Sequence, residues 1–228
     1  MYFFSGAPVS QRSSIGAISN VISDDVILLD TFETSIIGSW TKLDIQGAGA
    51  IAIDTTVAYH DAKSLKVTTA GAANDSSGAY RNFGYNRTNS RVLRFSTMVN
   101  IPAAAINDTA EIDLYLPDGT NSNLYAIKII ATAANVAKVQ YQNSAGVWTN
   151  VATLLGVQNG YWFYLGMDID VTNSKLLYIY FGDSKYSLNT ASKTTASTAK
   201  HATLYLIALT GEASAKSAWW DDVLIKAI

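Results

Sequence analysis

The chain has no cysteine and only two histidines among its 228 residues. Without cysteine it has neither disulfides nor thiolate metal sites, which suits a reducing compartment and equally many bacterial and viral exterior proteins. His60 and His201 lie far apart, and the sequence contains neither Gly-x-Ser-x-Gly nor His-Glu-x-x-His. The common nucleophilic and zinc hydrolases are therefore not expected.

Charge and long apolar runs are also scarce. Only 15% of residues are charged, the formal net charge is -2, and no run of Lys or Arg occurs. Nucleic acid is not an expected partner, because phosphate binding needs a basic patch. No stretch approaches the roughly 20 apolar residues of a membrane-spanning helix. The N-terminus from Met1 lacks the basic residues and the apolar core of an export signal, so no signal peptide is expected.

What the sequence does contain is a succession of short strands. From Val26 onward, apolar or alternating runs are separated by Gly, Asn, Asp and Ser, and only three prolines occur. The clearest alternation runs from Tyr161 to Val171 and continues, after a turn at 172–174, into 175–182 as a hairpin. About thirteen strands are predicted, at 26–30, 50–54, 64–69, 78–83, 91–100, 110–116, 124–132, 136–142, 147–153, 161–171, 175–182, 203–209 and 219–228.

So many strands without an amphipathic helix predict two packed sheets, since one sheet of that size would expose an apolar face. Segment 191–199 is rich in alanine, but its Thr and Ser residues weaken a helix, and a loop is expected there. Residues 1–25 show no clear period and are expected to form an arm before a single domain at 26–228. The predicted fold is all-β, a two-sheet antiparallel jelly-roll sandwich with an extended N-terminal arm.

Several short motifs resemble the carbohydrate-binding-module jelly rolls. These motifs are Asp30-Thr-Phe-Glu33, Gly38-Ser-Trp40, the segment 59–67 and Trp220-Asp-Asp-Val-Leu-Ile225. The segment 160–188 is similar to concanavalin and laminin-G sandwiches, in which a Trp-Tyr strand recurs. The resemblance implies the same jelly-roll architecture. Ala62 stands where these modules usually have glycine, so a turn that needs a positive φ would be strained there.

The same resemblance implies a structural calcium ion between the opening and closing strands. Calcium takes about six to eight oxygen ligands, many of them from carboxylates. Alternation places Asp221 on the core side with Trp219, where an unpaired carboxylate is costly. In the alternative arrangement, Asp221 accepts backbone N–H bonds while the two acids of the opening strand are solvated. The candidate ligands are Asp30, Glu33, Asp221 and Asp222.

An enzymatic motif begins but is not completed. Glu111-Ile-Asp113-Leu-Tyr115 resembles the start of the Glu-x-Asp-x-x-Glu strand of the laminarinase-type glycoside hydrolases. A retaining glycosidase needs a nucleophile and an acid about 5–5.5 Å apart, but Tyr115 and Leu116 stand where the second glutamate should be. We therefore expect no enzymatic activity and an edge strand whose two acids face water.

Aromatic residues are a further functional signal, with five Trp and thirteen Tyr. If the hairpin loop is 172–174, then four aromatic side chains share one sheet face and could stack against sugar rings. The alternative is that this face packs on the other sheet, on the arm or on a neighbouring subunit. This predicted aromatic platform consists of Trp162, Tyr164, Tyr178 and Tyr180.

Three functions follow from these patterns. The first is a non-enzymatic assembly protein, most readily a virion component such as a capsid-decorating or tail-associated jelly roll, made in the host cytoplasm. It would contact copies of itself and other virion proteins, with Tyr2, Phe3 and Phe4 inserting into a neighbour. The second is a free-standing, extracellular carbohydrate-binding module, and the third is a degenerate glycoside hydrolase. No cofactor other than calcium is expected.

Overall fold

The computed structural model describes residues 26–33, 39–84, 92–101, 108–133, 135–155 and 161–228. These residues form sixteen β-strands. Within them there is no helix long and apolar enough to cross a membrane. The predicted arm at 1–25, with Tyr2, Phe3 and Phe4, lies outside the described residues, as does Gly38 of the second motif.

In chain order, the strands are β1 (Val26–Asp30), β2 (Thr41–Gln46), β3 (Ala50–Asp54), β4 (Ser64–Thr68), β5 (Ser76–Phe83), β6 (Val92–Asn100), β7 (Thr109–Pro117), β8 (Asn121–Ala133), β9 (Val136–Gln142), β10 (Trp148–Leu155), β11 (Trp162–Asp170), β12 (Lys175–Phe181), β13 (Ser184–Ala191), β14 (Lys193–Ala196), β15 (Ala202–Leu209) and β16 (Ser217–Ala227).

The strands form two eight-stranded sheets. Sheet A has the order β13-β12-β11-β6-β16-β4-β3, and β1 also pairs with β16; sheet B has the order β10-β9-β8-β7-β15-β5-β2, and β14 also pairs with β8. Every one of these pairings is antiparallel. Strands distant in sequence, such as β7 and β15, are neighbours, as is typical of a jelly roll. The predicted all-β, two-sheet sandwich is confirmed.

One hydrophobic core lies between the sheets. In β11, alternate residues Leu165, Met167 and Ile169 are fully buried, because successive side chains of a strand point to opposite faces. In β7 of the facing sheet, Ile112 and Leu114 are equally buried. The intervening residues of both strands therefore point to the outer faces of the sandwich.

Three strands were not predicted from the sequence. Two of them, β2 and β13, are sheet-edge strands with mostly exposed side chains, so they lack the apolar alternation that marks a buried strand. The third, β14, lies within the segment expected to be a loop, and that expectation is wrong. Its Thr-rich sequence pairs with β8, in keeping with the preference of threonine for strands.

The turn before Lys63 avoids the strain expected at Ala62. The positive φ falls one residue earlier, on Asp61, at 52°. Aspartate tolerates this left-handed conformation better than alanine, because its short polar side chain can form local hydrogen bonds.

A bulge in β16 overturns the side predicted for Asp221. The register shifts between Asp221 and Leu224, and Asp222 has a φ of 49°. Trp220 therefore shares the core side with Val223, whereas Asp221 lies opposite Met98 on the outer side of sheet A. Strict alternation failed here because the extra residue reverses the parity of the strand.

The core assignment makes a prediction about stability. Leu114→Ala removes a fully buried side chain from the centre of sheet B, so we expect it to lower the free energy of unfolding by about 2–5 kcal/mol. Leu155→Ala is the matched control, because Leu155 is 81% exposed and its loss should cost less than about 0.5 kcal/mol. Urea denaturation of both variants measures the difference, and equal losses would contradict the sandwich packing.

Candidate functional site

The outer face of sheet B carries a cleft of about 440 Å³. This volume falls within the range of small-ligand pockets, about 300–1,000 Å³. We call it the sheet B cleft, and it is formed by side chains of β2, β5, β7 and β15. Its lining residues include Leu43, Glu111, Asp113, Tyr115, Tyr205 and Ile207.

Strand register brings the polar residues of the cleft together. Glu111, Asp113 and Tyr115 are alternate residues of β7 and share its outer face. Glu111 lies opposite Lys128 of β8, and Asp113 lies opposite Tyr205 of β15. Because residues directly opposite one another in a sheet share a face, two acids, two tyrosines and a lysine form a single patch.

Glu111 and Asp113 lie side by side in the cleft as alternate residues of β7, and we call them the acid pair. Burial raises the pKa of both groups, and for Asp113 the negative charge of Glu111 raises it further, well above its usual range. Within the described residues, Oδ1 of Asp113 is buried and has no hydrogen-bond partner. Both carboxyl groups therefore bind a proton more tightly than ordinary surface acids do.

The position of the acid pair corrects the prediction for this strand. β7 lies between β8 and β15, so it is an interior strand of sheet B and not an edge strand. Its two acids are desolvated side chains on the floor of a cleft and do not face open water. The sequence motif had located the acids correctly, but β15, one of the two strands that flank them, is distant in sequence.

Three tyrosines, which we call the tyrosine cluster, surround the acid pair on one side. Tyr205 lies between Tyr80 and Tyr115, with ring centroids 5.6 Å and 5.4 Å away. Burial raises the pKa of Tyr115 to about 12 and also raises the pKa of Tyr205. Their hydroxyl groups therefore stay protonated at neutral pH, and the cluster offers both ring surfaces and hydrogen bonds to a ligand.

On the other side of the acid pair, β8 and β9 carry a cation, Lys128, and an amide, Gln142. Lys128 Nζ lies 4.0 Å from the centre of the Trp148 ring, a cation–π contact. Gln142 lies opposite Trp148, and its Oε1 is buried without a hydrogen-bond partner in the described part of the chain. The outer face of sheet B thus carries two buried acceptor atoms without donors, one on Asp113 and one on Gln142.

Sequence reasoning missed most of these neighbours. Tyr80, Tyr205, Lys128 and Trp148 belong to four different strands that pair only in the folded sheet. No local motif connects them to Glu111. The pairing of β7 with the next strand, β8, is the signal that could have found Lys128. Tyr205 and Tyr80 depend on the pairing of β7 with β15, which follows from no short-range pattern in the chain.

The predicted aromatic platform lies on the outer face of the other sheet. In the hairpin, Gly166 pairs with Tyr180 and Asp168 with Tyr178, so both tyrosines share the face of Trp162 and Tyr164, as the sequence predicted. The hairpin itself is also confirmed by this pairing.

Half of the platform is covered by charged side chains. The Tyr180 hydroxyl donates to Asp168 at 2.6 Å, and the Arg94 guanidinium lies 4.8 Å from the centre of the Tyr180 ring. Lys185 Nζ lies 3.7 Å from the centre of the Tyr178 ring. These two rings are therefore less accessible to a sugar than the pattern suggested.

The other half of the platform borders a second groove, of about 410 Å³. Tyr59 contacts Trp162 with ring centroids 5.9 Å apart, and Tyr59, His60 and Tyr164 line the groove. The imidazole Nδ1 of His60 is hydrogen-bonded to the carboxylate of Asp222. The platform and the sheet B cleft are thus separate features on opposite faces of the sandwich.

Two of the four predicted calcium ligands lie in the closing strand. Asp221 is fully buried and accepts hydrogen bonds from the backbone N–H groups of Tyr59, His60 and Asp222. Burial raises the pKa of Asp221 to about 6, although these hydrogen bonds act in the opposite direction. This arrangement is the alternative foreseen for Asp221, in which N–H donors take the place of a cation.

The two acids of the opening strand also have protein partners. Asp30 accepts a hydrogen bond from Trp40 Nε1 and forms an ion pair with Arg81, both at 2.8 Å. Glu33 accepts from the backbone N–H of Lys63 at 2.9 Å. The expectation that both acids are simply solvated is therefore wrong. No group of three or more His, Asp or Glu side chains in the described residues could hold a metal ion, and the calcium ion remains a prediction.

The acid pair makes a prediction about pH. The folded protein binds the Asp113 proton more tightly than the unfolded chain does, so the unfolded chain ionises first as the pH rises, and stability falls. Asp113→Asn removes this loss. Relative to the wild type, we expect the variant to have a higher Tm at about pH 8 and an equal Tm at about pH 4. Calorimetry of both proteins at each pH measures the difference in Tm, and titrating groups remote from Asp113 contribute equally to both proteins. A difference in Tm that does not change with pH would contradict the raised pKa of Asp113.

Removal of divalent cations tests the calcium prediction. Because N–H and guanidinium groups already bind the candidate carboxylates, we expect EDTA to leave the Tm unchanged. Repeating the melt with added calcium is the control. A Tm that falls with EDTA and recovers with calcium would show that a structural ion is bound after all.

The sequence matches no protein-family model and no curated protein. Among solved structures, the fold is similar to an endo-β-1,4-glucuronan lyase from the fungus Trichoderma reesei, with a TM-score of 0.58, 14% identity, and coverage of 84% of this chain and 92% of that chain. It is similar to the cellulose-induced protein Cip1, with a TM-score of 0.57, 12% identity, and coverage of 88% and 97%. It is also similar to a carbohydrate esterase of the Shiga toxin-encoding bacteriophage phi24B, with a TM-score of 0.55, 19% identity, and coverage of 84% and 91%. At these identities, what the chain shares with them is the jelly-roll fold.

Proposed function

We propose that this protein binds carbohydrate and that the sheet B cleft holds the glycan. The observation that carries the proposal is the position of Tyr115 and Tyr205 beside the acid pair, inside one cleft. A sugar ring has an apolar C–H face and a rim of hydroxyl groups. It therefore needs aromatic surface and hydrogen-bond acceptors side by side, and this cleft supplies both.

The energetics of the cleft favour a ligand that donates hydrogen bonds. Oδ1 of Asp113 is buried without a partner among the described residues, and such an orphaned acceptor costs about 1–3 kcal/mol. A glycan hydroxyl donated to this atom would recover that loss. Apolar contacts with Leu43 and Ile207 at the cleft wall would add burial of the C–H face of the ring.

The comparisons support the same class of ligand. A glucuronan lyase and a carbohydrate esterase, both with this fold, act on carbohydrates according to their names. Their low identity to this chain transfers no particular substrate or reaction. They support the proposal because the fold is one on which carbohydrate sites occur, whereas the residues of the site come from this chain alone.

Binding without bond cleavage is the form of the function that we propose. A retaining glycosidase places two carboxyl groups about 5–5.5 Å apart, on either side of the bond to be broken. Glu111 and Asp113 instead stand next to each other on one face of β7, and Tyr115 and Leu116 occupy the places where a second glutamate would be needed. The expectation that the protein is not an enzyme is retained on this ground as part of the proposal.

The virion role is a separate proposal about where the domain works. A virion protein that binds a glycan would combine the first two functions expected from the sequence, and the likeness to a phage carbohydrate esterase supports this combination. Contacts with copies of itself and with other virion proteins, and a location in the virion, remain predictions. The residues expected to make those contacts, Tyr2, Phe3 and Phe4, lie outside the described residues.

Tyrosine substitutions test where the glycan binds. Tyr205 lies at the centre of the tyrosine cluster, so we expect Tyr205→Ala to weaken binding to a soluble polysaccharide at least about tenfold, a loss of about 1.4 kcal/mol. Tyr178→Ala is the matched control on the other sheet and should leave the affinity unchanged. Affinity electrophoresis across a panel of polysaccharides measures both effects.

Trp162→Ala extends the same experiment to the predicted aromatic platform. Binding that is lost in Trp162→Ala but retained in Tyr205→Ala would move the site to sheet A and contradict the proposal.

A further inference from the structure

The acid pair has no cationic partner within the described part of the protein. Its two carboxyl groups lie on one face of β7 and line the same cleft, and no ion pair among the described residues includes either of them. Buried carboxylates are usually paired with a cation or with several donors, because desolvating an uncompensated charge is costly. A pair left in this state on the floor of a cleft is incomplete without a ligand.

The two nearest lysines do not complete the pair. Lys128 Nζ sits over the Trp148 ring at 4.0 Å, and the side chain of Lys193 lies against Gly146 in the β9–β10 turn. Both act on the acid pair only through space, since neither reaches ion-pair distance. Neither lysine therefore contacts the carboxyl groups directly, and a cationic group of a ligand could do so.

The orphaned polar atoms on this face are acceptors. Oδ1 of Asp113 and Oε1 of Gln142 are both buried without a hydrogen-bond partner among the described residues. Gln142 belongs to β9, two strands away from β7, and does not line the cleft. Within the cleft, the unpartnered Oδ1 of Asp113 favours a ligand that donates hydrogen bonds.

Building on the proposed function, we infer that the glycan held in the sheet B cleft is an amino sugar oligomer, and that one of its protonated amino groups binds the Glu111–Asp113 pair. An ammonium group carries three donors and a positive charge, so a single group can satisfy both carboxyl groups. The rings of Tyr115 and Tyr205 beside the pair would add cation–π attraction. A neutral hydroxyl offers one donor and no charge, and a uronate would bring a further negative charge to two acids.

Proton release distinguishes this mode of recognition. Burial raises the pKa of both acids, and the charge of Glu111 raises the pKa of Asp113 further, whereas a bound ammonium favours the ionised form. We therefore expect binding to release protons from the pair, and affinity to rise with pH until the amine of the ligand itself loses its proton. Besides the pair, the titratable groups that line the cleft are Tyr115 and Tyr205, whose pKa values burial raises, while Lys128 and Lys193 act on the pair through space.

The test compares three tetrasaccharides of matched β-1,4 linkage, built of glucosamine, glucose or glucuronic acid. Isothermal calorimetry in two buffers of different ionisation enthalpy gives both the affinity and the number of protons released. We expect the glucosamine oligomer to bind at least about tenfold more tightly than the glucose oligomer, with proton release seen for the glucosamine oligomer alone. Glu111→Gln and Asp113→Asn should each reduce its affinity to that of the neutral oligomer.

Asp183→Asn is the matched control, because it removes the same charge from an exposed turn outside the cleft and should change nothing. Tighter binding of the glucose or glucuronic acid oligomer, or glucosamine binding without proton release, would overturn the inference and leave the proposed function standing. Failure of all three oligomers to bind would count against the proposed function itself.

Discussion

The structure depends on the alternation of side chains in β7. Its even-numbered residues, such as Ile112 and Leu114, are fully buried in the core, so its odd-numbered residues must point to the outer face of sheet B. Because β7 is an interior strand, β8 and β15 flank those outer residues and reduce their contact with water. Two acids that a surface strand would leave solvated are thereby placed on the floor of a cleft.

This placement costs stability, and the sandwich is able to offset the cost. A desolvated pair of carboxyl groups weakens the folded state at neutral pH, where the unfolded chain ionises freely. The hydrophobic core is continuous between both sheets, and its burial stabilises the fold enough to offset this destabilisation. Such a local conflict with stability is common at binding sites, since the ligand and not the fold supplies the missing partner.

The sequence predicted the architecture well because the evidence for it is local. Alternation identified the buried strands, including the hairpin from Trp162 to Phe181, and placed Trp162 and Tyr164 on one face as the structure has them. It missed β2 and β13, whose exposed edges carry no apolar period. It also assigned Asp221 to the wrong side of the sheet, because no pattern in the sequence indicated the bulge at Asp222.

The candidate site was harder to predict, because its parts come together only through long-range pairing. The motif at Glu111 and Asp113 drew attention to the right strand, but its environment depends on Tyr205, which lies much later in the chain, and on Lys128 of the other neighbouring strand. The aromatic platform could be predicted from a single hairpin, whereas the cleft on sheet B could not be predicted from any one segment of the chain.

A glycan bound to the outer face of sheet B should change the environment of the backbone there. NMR spectra of the backbone amides, recorded during titration with a glycan that binds, measure this change residue by residue. We expect the largest chemical-shift changes on β7 and β15, around Asp113 and Tyr205. Changes confined to the groove of sheet A, around Tyr59 and Trp162, would contradict it.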